Sequence, residues 1–309
     1  MTNVEGEITE AGIPVISCKP VSEQSRIQDY FCLIKPEVTF LVLIATGLGS
    51  YMASHGVLSL LTLFHAVLGT ALVAGGTATL NHYIERELDG RMRRTAQRPL
   101  PSGRLSPREV LNFGVALSVV GGAYLAFFVN LLTSIIGVLT LLSYLLVYTP
   151  LKRKTCWATF VGAFPGAAPV LMGWTAVRNS AGLEAWVLYA LLFAWQFPHF
   201  LAIAWMYKED YARAGMLMLP RQDPTGDRAF LQILGTSLTL FPLSLVPSML
   251  GMTGSLYFCS AVMLSAGLLF FALRASVHRS RLQARVLLHV TVIYLPLIYA
   301  MMVLDKVQI

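Results

Sequence analysis

Nine apolar runs separated by short polar stretches set the pattern of this chain of 309 residues. They fall at about residues 37 to 54, 59 to 83, 108 to 128, 131 to 149, 158 to 177, 184 to 206, 228 to 249, 254 to 274 and 285 to 304. A helix of about 18 to 25 residues covers the roughly 30 Å hydrocarbon core of a bilayer, so the pattern predicts an all-α polytopic bundle of nine transmembrane helices. Residues 1 to 28 are polar and acidic, with neither a basic start nor an apolar stretch, and are expected to be a mobile tail rather than a signal peptide. The short stretch from Asp29 to Lys35 is amphipathic and suits the membrane interface, and Pro36 then opens the first span. Residues 29 to 309 are expected to form a single membrane domain. Pro165 and Pro169, with Gly162 and Gly166, predict a break in the fifth span, which is tolerable only beside a cavity or within protein.

Composition agrees with the pattern, since 56% hydrophobic residues, 13% charged residues and a mean hydropathy of +0.64 exclude an ordinary soluble domain. Charge adds orientation. All but two of the 23 Lys and Arg lie before the first span or in the connections after the second, fourth, sixth and eighth; the two are Arg178 and Lys306. Basic residues mark cytoplasmic loops, so the N-terminus is expected in the cytoplasm and the C-terminus outside. The net charge of +7 then reads as a topology signal in contact with anionic lipid, and no nucleic-acid partner is implied. Cys18, Cys32, Cys156 and Cys259 show no paired spacing and point to neither a disulfide nor a thiolate metal site.

One segment departs from this economy of charge. From Asn81 to Arg104, three carboxylates and six arginines crowd the end of the second span. Charge carried to a membrane edge costs roughly 2 to 4 kcal/mol per group and marks a functional site by default. Asn81, Glu85 and Asp89 are spaced by four, so on a continued helix they share one face. An amide and two carboxylates suit a hard cation such as Mg²⁺, whose remaining ligands are commonly water and phosphate. Arg91, Arg94, Arg98 and Arg104 offer planar donors for phosphate oxygens. A solvated helix end with ordinary Glu–Arg pairs, such as Glu87 with Arg91, would be the plainer account. Repetition argues against it: Lys208, Glu209 and Asp210 end the sixth span on the same side, and two acid-bearing helix ends at one mouth could clamp a diphosphate through metal ions.

The run from Asn81 through RTAQRPLPSGR resembles the first acidic motif of the intramembrane aromatic prenyltransferases, most closely their protoheme IX farnesyltransferase (heme O synthase) branch. Further similarity lies in Lys35-Pro36, in YTPLKRKT from Tyr148, in GAFPGAAP from Gly162 with Gly173-Trp174, in WQFPHF from Trp195, and in DYARAG from Asp210 with Met218-Leu-Pro220. The resemblance spans residues 30 to 300. It implies Mg²⁺-dependent transfer of a farnesyl group from farnesyl diphosphate to a vinyl group of protoheme IX, within heme O and heme A synthesis for terminal oxidases. It also implies a bacterial inner-membrane location and a downstream heme-modifying enzyme or oxidase assembly factor as partner. By it, Asn81, Glu85, Asp89 and Asp210 are the catalytic and metal-holding residues. Arg94, Arg98, Lys152 and Lys208 match the basic positions, and Arg91, Arg104 and Arg153 join them as candidate diphosphate contacts. The second motif is Lys-Glu-Asp rather than widely spaced aspartates, and Ala158-Thr159 stands where Asn-Thr is expected.

Histidine carries the porphyrin question, because imidazole is the commonest protein ligand of heme iron. His199 is the first candidate and His82 the second. Phe160, Phe164, Trp195, Phe197, Phe200 and Trp205 are candidates to line a farnesyl channel or face a developing cation. Two other classes compete: a prenyltransferase for a quinone or other aromatic acceptor, and a multi-pass transporter. The transporter fits less well, because charge gathers at one mouth and most span centres lack it.

Overall fold

The computed structural model describes residues 25–219, 223 and 225–307. Up to residue 24 the expected tail lies outside the described residues, as do Cys18 and Pro220. The elements are α1 Arg26–Leu33, α2 Pro36–Ala53, α3 Leu60–Asp89, α4 Pro107–Phe128, α5 Leu131–Leu151, α6 Ala158–Arg178, α7 Leu183–Met206, α8 Lys208–Ala214, α9 Asp227–Met249, α10 Ser255–His278 and α11 Arg281–Leu304. All but α1 and α8 are long and apolar enough to cross a membrane, which gives nine candidate spans among the described residues. No strand occurs among these residues beyond one isolated bridge, Thr253 with Lys306.

The bundle is built around α6 and α7, whose most apolar stretches are 61% buried inside the protein, against 28–44% for the other spans. Helix α6 packs on α2, α5 and α7, while α7 packs on α9 and α11, so each central helix gathers one half of the chain. Small residues permit the closest approach. A Cβ on Gly49 of α2 would strike the Val170 carbonyl oxygen of α6, and one on Gly173 would strike the Thr46 carbonyl oxygen in return. Ser50 Oγ crosses the same contact to the Gly173 carbonyl at 3.0 Å.

The expected break in the fifth span does not occur: α6 is continuous through Pro165 and Pro169. Its small residues serve packing instead. Gly166 leaves room for the Gln196 amide of α7, which donates from Nε2 to the Ala163 carbonyl at 3.0 Å. The real irregularity lies in α5, where Ser143–Tyr148 forms a π-helical turn.

At the charged end, α1 begins with a capping box from Ser25 and Gln28. It packs Leu33 with Leu100, Leu105 and Val110. Lys35 follows in the left-handed region, at φ 48°, and Pro36 occupies the first turn of α2. Non-glycine residues held there are strained and cluster at functional sites.

Candidate active site

Helix α3 continues past its apolar run to Asp89 because its last turns bury polar side chains against partners. Asn81, Glu85 and Asp89 are 1%, 5% and 1% exposed, and each meets a cation from a different segment. Lys35 Nζ donates to Asn81 Oδ1 at 2.8 Å, Lys152 Nζ to Glu85 Oε1 at 2.8 Å, and Arg98 Nη1 to Asp89 Oδ2 at 2.7 Å. The shared face read from the spacing is therefore the face that collects the bases.

The two lysines differ in what they touch. Burial, with Arg98 adding like charge nearby, lowers the Lys35 ammonium to about 7, since its hydrogen-bond partner is a neutral amide. Burial alone would also lower Lys152. The Tyr148 phenol, the Glu85 carboxylate and the Tyr144 phenol outweigh it and hold Lys152 above its ordinary value.

The π-helical turn of α5 brings Tyr144 and Tyr148 to this lysine, with ring centroids 6.0 and 4.6 Å from Nζ. Such turns recur at functional sites. Thr149, next in line, receives a long hydrogen bond of 3.4 Å from Asn81 Nδ2. Tyr148 and Thr149 stand in the YTPLKRKT run but were given no role there, and Tyr144 lies outside it; Tyr148 and Thr149 fall about one helical turn before Lys152 and Tyr144 about one turn earlier still, which is the signal that would have found them.

Of the remaining basic candidates, Arg94 stacks over the Tyr207 ring at 5.0 Å and so joins the α3–α4 loop to the junction of α7 and α8. Arg104 turns instead to α1, donating to Asp29 Oδ1 at 2.9 Å and to the Gln97 carbonyl at 3.0 Å. Arg91 and Arg153 are exposed, and Lys208 is exposed over the Trp205 ring at 4.1 Å. Asp210 is buried and pairs with Arg213. The two acid-bearing helix ends adjoin. Leu88 and Met92 pack with Ala204, Ala214, Met216 and Met218, and Leu217 N–H donates to the Lys152 carbonyl at 2.6 Å.

Residues 42–295 match the UbiA prenyltransferase family. Over 289 residues the chain is 49% identical to a protein of Solibacter usitatus named protoheme IX farnesyltransferase, covering 91% of this chain and 99% of that one. A protein of Koribacter versatilis bearing the same name is 42% identical, over 91% of this chain and 94% of its own. The chain belongs to the UbiA prenyltransferase family. Among solved structures, a UbiA homolog from Archaeoglobus fulgidus bound to DMAPP and Mg²⁺ has a TM-score of 0.63 at 17% identity, over 89% of this chain and 99% of that chain. A digeranylgeranylglyceryl phosphate synthase reaches a TM-score of 0.76 at 17% identity, over 93% and 100% of the two chains. Family and fold agree: the protein is a prenyltransferase integral to a membrane, and its charged cluster is the candidate active site.

Among the described residues no three His, Cys, Asp or Glu side chains converge as a ready-made metal shell. The donor set of the family enzyme nevertheless fits a hard cation. Two buried carboxylates and an amide oxygen lie on successive turns, and Mg²⁺ is usually held by one or two carboxylates with the rest supplied by phosphate and water. The buried His82 ring is the second sign. Both its nitrogens lack a partner, and Nδ1 lies 3.9 Å from Asp89 Oδ2, so the surroundings of Asp89 hold an unanswered polar group.

His199, the other histidine candidate, is partly exposed on α7, with Nδ1 2.9 Å from Thr291 Oγ1. The aromatic candidates divide among three places. Phe160 and Phe164 form an outward-facing ladder with Phe193 and Phe197, whereas Trp195 stacks on His199 and Trp205 packs on Phe230.

Proposed function

We propose that this prenyltransferase transfers a farnesyl group from farnesyl diphosphate to a vinyl group of protoheme IX, giving heme O for terminal-oxidase heme synthesis. The observation that carries the reading is the buried cluster at the end of α3, in which Lys35, Arg98 and Lys152 converge on Asn81, Asp89 and Glu85. The 49% identity to a protein named for this activity supports the acceptor.

In the reaction the C1–O bond of the farnesyl diphosphate breaks, and the diphosphate leaves with the electron pair. The vinyl π pair forms the new carbon–carbon bond, and water adds to the resulting cation with loss of one proton. Lys35, Arg98 and Lys152 converge on the buried polar end of α3, where donors fixed in advance stabilise a leaving anion far better than in water. Arg94, at the rim over Tyr207, and the exposed Arg91, Arg153 and Lys208 serve capture of the incoming anion. Tyr144 and Tyr148 present ring faces beside Lys152, suited to the positive charge that develops on the prenyl carbon. Mg²⁺, held by Asn81, Glu85 and Asp89 with Asp210 from α8, would neutralise the diphosphate and make it a better leaving group. His199, and after it His82, are the residues assigned to the porphyrin.

The charged end faces the cytoplasm and the C-terminus the outside in this reading, because basic residues gather at that end, and the 49% identity to a protein of Solibacter usitatus supports a bacterial inner membrane. Residues 29–309 act as one catalytic domain, and a heme-modifying enzyme or assembly factor receives the product. Membranes containing the protein, incubated with farnesyl diphosphate, protoheme IX and Mg²⁺, should yield a more hydrophobic heme by chromatography. An unchanged heme beside a prenylated quinone precursor would assign the enzyme to the other acceptor class.

A further inference from the structure

We propose that Thr291 of α11 is a positioning residue for the acceptor half of the reaction, holding His199 as its Nδ1–H tautomer with Nε2 left as a free lone pair. The proposal rests on the reading of His199 as the side chain that meets the porphyrin iron.

Thr291 is fully buried, and its hydroxyl donates to the Leu288 carbonyl at 2.7 Å. A hydroxyl has one proton to give. With that proton committed, Oγ1 can only accept from His199 Nδ1, which stands 2.9 Å away. A neutral imidazole carries one N–H, so Nε2 is an acceptor or a metal ligand. Hydrogen bonds thus run in one direction, from Nδ1–H to the Thr291 hydroxyl to the Leu288 carbonyl, and each strengthens the next.

The same residue fixes the ring plane. Trp195, one turn earlier on α7, donates from Nε1 to the Thr291 backbone carbonyl at 2.9 Å. Its indole lies against the His199 ring at 4.7 Å between centroids and 21° between planes. Phe200 closes the edge at 5.3 Å. Among the described residues Nε2 makes no hydrogen bond, and the His199 side chain is only partly buried.

Depth agrees with a role in the reaction. Leu88 and Ala204 pack in one cluster at the charged end. Counting back along each helix at about 1.5 Å per residue puts His199 about 8 Å and Asn81 about 11 Å deeper, a difference of less than one helical turn. A planar acceptor reaching His199 would lie close to the level of Asn81, the deepest of the residues assigned to the metal. A threonine that merely bonds back to its own helix has no need of two contacts from α7. Here the backbone oxygen and the hydroxyl are each used to orient one aromatic ring.

The test titrates full-length protein in lipid nanodiscs with ferric protoheme, reading affinity and the axial-ligand signature by absorption and electron paramagnetic resonance. Thr291→Val, which keeps the shape and removes the hydroxyl, should weaken protoheme binding by about 10-fold to 100-fold and move the signature toward that of His199→Ala. Thr291→Ser should stay close to the parent, and farnesyl diphosphate binding should not change in either. If Thr291→Val does not assemble, Thr291→Ala is compared with Thr291→Ser under the same criterion. A hydroxyl-free variant with parental affinity and signature would overturn the proposal, as would a Ser variant that falls as far as Val. In either case His199→Ala still separates the two readings. If it loses the signature, His199 stands and Thr291 is packing; if it keeps the signature, the assignment of His199 itself is wrong.

Discussion

Lys152→Met isolates the ion pair that closes the site. Lys152 and Glu85 meet at 2.8 Å with side chains only 11% and 6% exposed, so the truncation leaves a carboxylate buried without its counter-charge. Breaking a buried pair from one side costs about 3 to 5 kcal/mol, whereas replacing both members by neutral groups of similar size is often close to neutral. Lys152→Met should therefore lose about that much stability, and Glu85→Gln combined with Lys152→Met should recover most of it. Activity should behave differently, because a neutral pair can hold neither a cation nor a phosphate. Both single variants and the double variant should be inactive. Stepwise denaturation in mixed micelles, followed by tryptophan fluorescence, measures the first quantity, and heme chromatography measures the second. A single variant as stable as the parent would refute the burial argument. A stable and active double variant would refute the assignment of the pair to the chemistry.

Asp89→Asn should insert and fold, because Arg98 keeps a hydrogen-bond partner, yet turn over at least 100-fold more slowly by the scale of losses seen when a transition-state contact is removed; parental turnover would remove Asp89 from the site. Chelation of divalent ions with EDTA should stop product formation and added Mg²⁺ should restore it, while folding, read by circular dichroism, stays unchanged. Gly49→Ala should destabilise the bundle by about 1 to 3 kcal/mol or more, since its Cβ meets the Val170 backbone, whereas Gly47→Ala meets nothing within 4 Å and should be tolerated. Equal stability of these two variants in the same denaturation assay would show that the α2–α6 contact is looser than described.

The spans were legible because each is apolar over a length the bilayer dictates, and the Asn81–Glu85–Asp89 face because helical periodicity needs no tertiary information. What escaped depended on partners distant in sequence. The four-residue spacing already carried the second helix on to Asp89, but not the pairing of its polar face with Lys35, Lys152 and Arg98. The prolines of α6 suggested a break because their effect on the ladder is local, whereas the helix, packed on α2, α5 and α7, runs through both without interruption. One π-helical turn leaves no periodic trace, so Tyr144 stayed hidden beside its lysine. Arg104 looked like its neighbouring arginines, and only the fold gives it Asp29.

The charge pairs of α3 also bear on how the protein is made. Asp89 finds Arg98 nine residues downstream, within the loop that leaves the same helix. Glu85 and Lys152 are separated by 67 residues, with two complete spans, α4 and α5, between them. During synthesis the second span thus enters the bilayer with one acid answered at once and another waiting for a base the ribosome has yet to reach. The hairpin of α3 and α4 is an unfinished electrostatic stage, and arrival of the end of α5 supplies the base that Glu85 meets.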